Sequence, residues 1–190
     1  MNYLLRRKSF GSFLIVGGFL LIIFGFSYRS VSKLIYYSLI NKSGGNGIVL
    51  GNFHRTENYE AEDIPSRVVV ERVKIDLEVK EAKVINGEWE VFANFAGWGV
   101  GSGIPGRAGN VVVFAHARIG LFYPLKDVRV GDEVSIFTKN NNYKYKIFDI
   151  KSVTPQDLSV IDKSENEILT LYTCSGYADL KRLIVVAKRV

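Results

Sequence analysis

Residues 67–79 read Arg-Val-Val-Val-Glu-Arg-Val-Lys-Ile-Asp-Leu-Glu-Val, and this stretch decides the fold class. β-Branched residues dominate it and alternate in part with charged ones, the pattern of a strand with one buried face. Five further runs have the same character: NVVVFAHA (110–117), EVSIFT (133–138), YKYKIFDIKSV (143–153), EILTLYTC (167–174) and LIVVAKRV (183–190). Turn-forming residues separate them, at Asn86-Gly87, at Gly131-Asp132 and in the cluster Asn140–Asn142. Short helical turns are expected at 92–97, 121–127 and 155–161, and no long amphipathic helix is visible. Many short strands with few helices predict a mainly β domain, closed or nearly closed into an antiparallel barrel. There is no internal repeat.

Toward the N-terminus the character changes. Residues 1–9 are polar and basic, and Phe10 to Tyr28 (FGSFLIVGGFLLIIFGFSY) carries no charge over 19 positions. As a helix that run would be ~28 Å long, close to the hydrocarbon thickness of a bilayer. Its glycines are tolerable in a membrane helix and costly in a soluble one. Arg6, Arg7 and Lys8 precede the run, which puts the N-terminus in the cytoplasm and the remainder outside. A cleaved signal peptide is the alternative. The run is longer than a usual signal core, and Ser27-Tyr28-Arg29-Ser30 offers no small-residue cleavage site. The expected organisation is therefore a cytoplasmic tail (1–9), a single transmembrane anchor (10–28), an extracytoplasmic stem (29–64) containing the flexible NKSGGNG segment at 41–47, and a folded β domain (65–190).

With 190 residues, 47% of them hydrophobic and 23% charged, the chain is a folded protein of one domain with appended segments. A net charge of +6 raises the question of nucleic acid. The basic residues are spread along the chain and interleaved with acids, and an anionic surface such as lipid headgroups or wall polymer accounts for the balance; no nucleic-acid partner is expected. The segment Gly101-Ser-Gly103-Ile-Pro-Gly106 matches GxGxxG on paper. It contains a proline and leads into the strand-like run at Val111, whereas a dinucleotide site needs a helix there.

One cysteine, Cys174, and two histidines, His54 and His116, are present, so no intramolecular disulfide can form. A thiol left over outside the cell is either a small buried hydrophobe or a reactive group. Cys174 ends one strand-like run, His116 ends another, and Arg182 opens the last; in a barrel such strand ends gather at one rim. His54 falls in the irregular stem. A thiolate attacks an amide carbonyl, an imidazolium protonates the departing amine, and a guanidinium stabilises the oxyanion. Nearby cations also favour the thiolate. Each residue singly has an ordinary structural explanation: inert core for the cysteine, packing for the histidine, a solvated strand start for the arginine.

Thr170-Leu171-Tyr172-Thr173-Cys174 resembles the T-L-x-T-C signature of the sortases, enzymes that attach secreted proteins to bacterial cell walls or to each other. Lys181-Arg182-Leu-Ile-Val-Val186 is similar to the family's arginine before a terminal hydrophobic strand. Pro105-Gly-Arg-Ala-Gly109-Asn110 through His116 is similar to the segment that leads into its histidine. Phe122 to Leu125 and Val130-Gly131-Asp132 echo two further family motifs, and the likeness covers about 65–190. Two departures are visible: Ala115 stands where glycine is usual, and Ala117 to Gly120 lacks an aspartate common there.

The resemblance implies a closed barrel of about eight strands with short helices. It also implies a Cys174 thioester with the acyl part of an LPxTG-like sorting motif, His116 as acid and then base, Arg182 at the oxyanion, and Thr173 in substrate positioning. Partners would be secreted proteins bearing that motif and an amine from a wall precursor or a pilin lysine. No cofactor is implied; calcium dependence stays open, with Glu78, Glu81 and Asp132 as acids that could line a metal site or be ordinary surface. Asp63-Ile64-Pro65 is not the D-P-aromatic tripeptide of pilus-building relatives, so a housekeeping anchoring role is expected. A cysteine hydrolase and a non-catalytic barrel module are the competing readings. The L,D-transpeptidases, which keep a histidine close to an S-x-G-C segment, match poorly.

Overall fold

The computed structural model describes residues 59–190; the expected anchor at 10–28 and most of the stem lie outside the described residues. Among the described residues no helix is long and apolar enough to cross a membrane.

The run 67–79 is two strands rather than one. Adjacent charges at Glu71-Arg72 break its alternation, and a 3-10 turn over Glu71–Val73 with Lys74 in left-handed backbone (φ 56°) reverses the chain. β1 (Arg67–Val70) and β2 (Ile75–Ala82) thereby pair antiparallel, Val70 opposite Ile75. β3 (Val84–Ile85) and β4 (Glu88–Trp89) form a small hairpin. Its turn residues Asn86 and Gly87 both take positive φ, 54° and 81°, the backbone that matches strand twist in a two-residue hairpin. There follow β5 (Ala96–Gly99), β6 (Gly109–Phe114), β7 (Glu133–Phe137), β8 (Asn142–Val153), β9 (Glu167–Ser175) and β10 (Lys181–Arg189). Short 3-10 turns occupy Tyr123–Asp127, Ser159–Ile161 and Tyr177–Asp179. The helical turn expected at 92–97 is absent, because Ala96 starts β5 and its buried face packs into the barrel.

Eight strands close a barrel in the order β1-β2-β5-β6-β9-β10-β8-β7, with β7 pairing back to β1. The expected all-antiparallel barrel needs correcting at two seams, where β2 with β5 and β6 with β9 run parallel. Alternation along a strand reports which faces are buried and not which way the neighbour runs. Direction follows from the connections, and both parallel pairs have other strands inserted between their members in the chain.

The central strands are apolar on both faces because both are covered. Along β6, Val111 and Val113 point into the barrel with Trp98, Leu169, Leu171 and Val185. Val112 and Phe114 point outward into a second cluster with Trp89, Val160, Ile161, Tyr172, Ile184 and Val186. The β3–β4 hairpin and the turn at Ser159–Ile161 cover that outer face. Trp89 is its keystone. It is 1% exposed, its Nε1–H donates to the Val100 carbonyl at 3.0 Å, and its ring stacks on Phe114 with centroids 5.6 Å apart. The approach is close enough that a Cβ on Gly99 would lie 2.4 Å from the indole. Trp89→Ala is expected to cost about 3–5 kcal/mol, read as a lowered midpoint in urea unfolding.

Residues 59–64, expected as the end of the stem, pack on the barrel. Tyr59 meets Trp98 edge-on at 5.1 Å, Asp63 pairs with Arg107 at 2.7 Å, and Glu62 pairs with Lys139. Arg107 precedes β6 and Lys139 lies in the β7–β8 turn. The chain therefore meets the barrel at the pole opposite the ends of β6 and β9.

Candidate active site

Strand register assembles the site. β9 and β10 are antiparallel neighbours with Cys174 directly opposite Arg182. β6 and β9 are parallel neighbours with Phe114 opposite Tyr172. The ladder continues one step further, the Ala115 amide donating to the Tyr172 carbonyl at 3.3 Å, and His116 follows directly. Side-chain alternation fixes the face. Phe114, Tyr172 and Ile184 point outward into the second cluster, and His116, Cys174 and Arg182 lie two residues beyond them on their strands. The three residues singled out in the sequence thus lie at the ends of three neighbouring strands, with Cys174 directly opposite Arg182. They lie over the outer hydrophobic cluster and not inside the barrel mouth.

Local chemistry holds each in place. The chain turns sharply after His116, whose carbonyl accepts from the amides of Arg118 (3.0 Å) and Phe122 (3.1 Å). Cys174 is a free, half-buried thiol. Burial pushes it above the ordinary thiol range, Arg182 pulls it back, and Asp179 adds to the rise. The cation was expected to favour the thiolate; it does, but desolvation outweighs it. Arg182 donates from Nε to the Tyr172 hydroxyl (3.1 Å) and from Nη1 to the carbonyls of Asp179 (2.7 Å) and Lys181 (3.0 Å). Burial raises the Tyr172 phenol as well, with Arg182 opposing.

Thr173, expected to touch substrate, is 2% exposed and sits on the opposite face of β9 from Cys174. Its hydroxyl donates to the Ala115 carbonyl at 2.8 Å, fastening β9 to the residue before His116. Thr170 and Asn110 form a second staple. The threonine hydroxyl donates to Asn110 Oδ1 at 2.7 Å, and Asn110 Nδ2 donates to the carbonyls of Val160 (3.2 Å) and Asp162 (3.1 Å), so the β8–β9 connection is tied over the outer face. The glycine-rich segment 101–106 feeds β6 as a loop, with the Gly103 amide on the Asn110 carbonyl.

Two residues at the site went unnoticed in the sequence. Tyr172 carried a signal, since it precedes the thiol by two residues on the same strand face. Asp179 carried none, because its contact depends on left-handed backbone (φ 58°). The acids considered for a metal have other partners. Glu78 faces Lys80 at 3.8 Å, Glu81 accepts from the Tyr59 hydroxyl at 2.7 Å, and Asp132 pairs with Arg72 at 2.9 Å.

A family model for the sortase domain matches residues 68–190. Sortase A of Streptococcus agalactiae serotype III (strain NEM316) is 33% identical over 93 residues, which are 45% of this chain and 38% of that protein. The matched stretch thus spans under half the length of that curated relative. Among solved structures, sortase C1 of Streptococcus agalactiae in complex with MTSET superposes with a TM-score of 0.58 at 26% identity, covering 68% of each chain. A Clostridium perfringens sortase D5 transpeptidase superposes at 0.59 over 70% of this chain and 82% of its own; its 23% identity speaks for the fold alone. With a family model covering the barrel and the site, the chain belongs to the sortase family, the cysteine transpeptidases of the cell surface.

Proposed function

We propose that this protein cleaves a sorting motif of LPxTG type near the C-terminus of secreted proteins and transfers the acyl part to an amine. The observation that supports this reading is the register that sets Cys174 directly opposite Arg182, on the strand that pairs with β6, the strand leading into His116. The Cys174 thiolate adds to the scissile carbonyl, and Arg182 bears the charge that develops on its oxygen. Collapse of the adduct breaks the C–N bond, the amine leaves with a proton from the His116 imidazolium, and a thioester remains. An incoming amine attacks the thioester, gives one proton to His116 and releases Cys174 as the thiolate beside the imidazolium. These steps draw on no cofactor. The raised thiol pKa means that the reactive ion pair is a minority species at neutral pH, which makes slow turnover the expectation.

The segment 10–28 anchors the enzyme with the barrel outside the cell, where secreted substrates and an amine of a wall precursor or another protein meet it. Anchoring of single proteins is favoured over pilus assembly, because Asp63-Ile64-Pro65 lacks the aromatic of an inhibitory tripeptide. The test is to offer the detergent-solubilised full chain a library of L-P-x-T-G-like peptides with an amine acceptor. Mass spectrometry should find an acyl adduct on Cys174 and an amide product. Release of free acid alone, with the amine present, identifies a hydrolase. If no peptide labels a folded protein whose thiol still reacts with iodoacetamide, transpeptidation is refuted.

A further inference from the structure

Arg182 is held at two of its three guanidinium nitrogens. Its Nε donates to the hydroxyl of Tyr172, a residue only 7% exposed. Its Nη1 donates to the carbonyls of Asp179 and Lys181. Nη2 has no hydrogen-bond partner among the described residues. The Asp179 carbonyl is available because the chain after Cys174 takes an unusual path, with Gly176 at φ 78° and Asp179 at φ 58°. Only three described non-glycine residues have positive φ, and Lys74 and Asn86 serve strand reversals away from the site. Left-handed backbone is tolerated by aspartate and disfavoured by β-branched residues. Its recurrence here points to a role beyond turning the chain.

We propose that Tyr172 and Asp179 are positioning residues for Arg182: the buried hydroxyl at Nε and the left-handed carbonyl at Nη1 hold the guanidinium from two sides and leave Nη2 free for the substrate oxygen. The proposal rests on the catalytic role given to Arg182 above. A guanidinium fixed before substrate arrives has little rotamer freedom left to lose in the transition state, which is what preorganised stabilisation of an oxyanion requires. Asp179 has a second effect through its carboxylate. The charged or titratable groups around the thiol are Arg182 and Lys181 on β10, Asp179 in the loop, Tyr172 on its own strand and His116 beyond β6. Of these, Arg182 favours the thiolate and Asp179 opposes it.

The experiment compares Y172F, D179N, D179G and D179V in the full chain by peptide turnover and by iodoacetamide alkylation of Cys174 across pH. Y172F removes the acceptor at Nε. It should lower kcat about tenfold with KM within twofold and move the alkylation profile to higher pH, since a loosened Arg182 supports the thiolate less. D179N keeps the carbonyl and loses the charge, and its alkylation profile should move to lower pH. D179V should lose kcat as Y172F does, while D179G, open to the same backbone, retains most of it. The proposal is overturned if Y172F leaves both kcat and the alkylation profile at wild-type values, or if D179G and D179V behave alike. Alkylation needs no peptide. A shifted Y172F profile in a protein that accepts no sorting peptide therefore upholds the clamp and rejects the transpeptidase assignment.

Discussion

Cys174→Ala is expected to abolish acyl transfer, a fall of about 10⁴-fold or more, while leaving the barrel folded. The chain holds no other thiol, so no neighbour can form the thioester. The adjacent hydroxyl of Ser175 is no substitute, since it lies one residue along the strand, on the other face, with its oxygen buried and without a partner among the described residues. The structural cost is small. Cys174 is half-buried at a strand end with no disulfide, and losing one sulfur there removes little apolar area. Two readings check this: the peptide-derived mass adduct should vanish, and the thermal midpoint should move by only a few degrees. Turnover or an adduct surviving in this variant would sink the assignment of the nucleophile. An unfolded variant would instead show that the thiol is a packing residue, as a non-catalytic barrel requires.

The second large effect is expected at Arg182. Arg182→Ala removes the group assigned to the oxyanion, and loss of one such donor lowers kcat about 10²–10³-fold. It also acts on the nucleophile, with a sign that can be worked out. Among the described residues, Arg182 is the group that holds the Cys174 thiol down against burial and Asp179. Without it the thiol rises further, the thiolate fraction at any pH below that value falls, and alkylation at neutral pH slows. The whole alkylation profile should move to higher pH. Arg182→Lys restores a positive charge but not the forked contact with Tyr172 and Asp179. It should therefore recover much of the alkylation rate and little of the turnover. A profile that moves to lower pH, or does not move, contradicts the arrangement.

The extent to which the site was legible differs by residue. Cys174, His116 and Arg182 stood out because reactive side chains of these types at strand ends have few structural uses in common, and the family motif carried all three. Thr173 belonged to the same motif, but its role depends on which face of β9 it occupies. Only the position of the barrel core showed that its hydroxyl turns to the Ala115 carbonyl. Tyr172 and Asp179 required a tertiary partner before they had any meaning.

For the fold, the amino-acid sequence by itself determined where most of the long strands run, where several turns fall, and that a cysteine, a histidine and an arginine stand at the ends of three strand-like runs. These are local matters: β-branched alternation, turn chemistry at Asn86-Gly87, and the residue types themselves. Tertiary structure alone decided that 67–79 reverses at Lys74, that β2 with β5 and β6 with β9 run parallel, and that 59–64 belongs to the barrel. It also decided that the site faces outward over Trp89 and Phe114, and that burial outweighs the arginine in setting the thiol. The physical reason is common to all of these. A strand's sequence records which of its faces is dry, whereas neighbour direction, register and desolvation arise only once distant segments share a sheet.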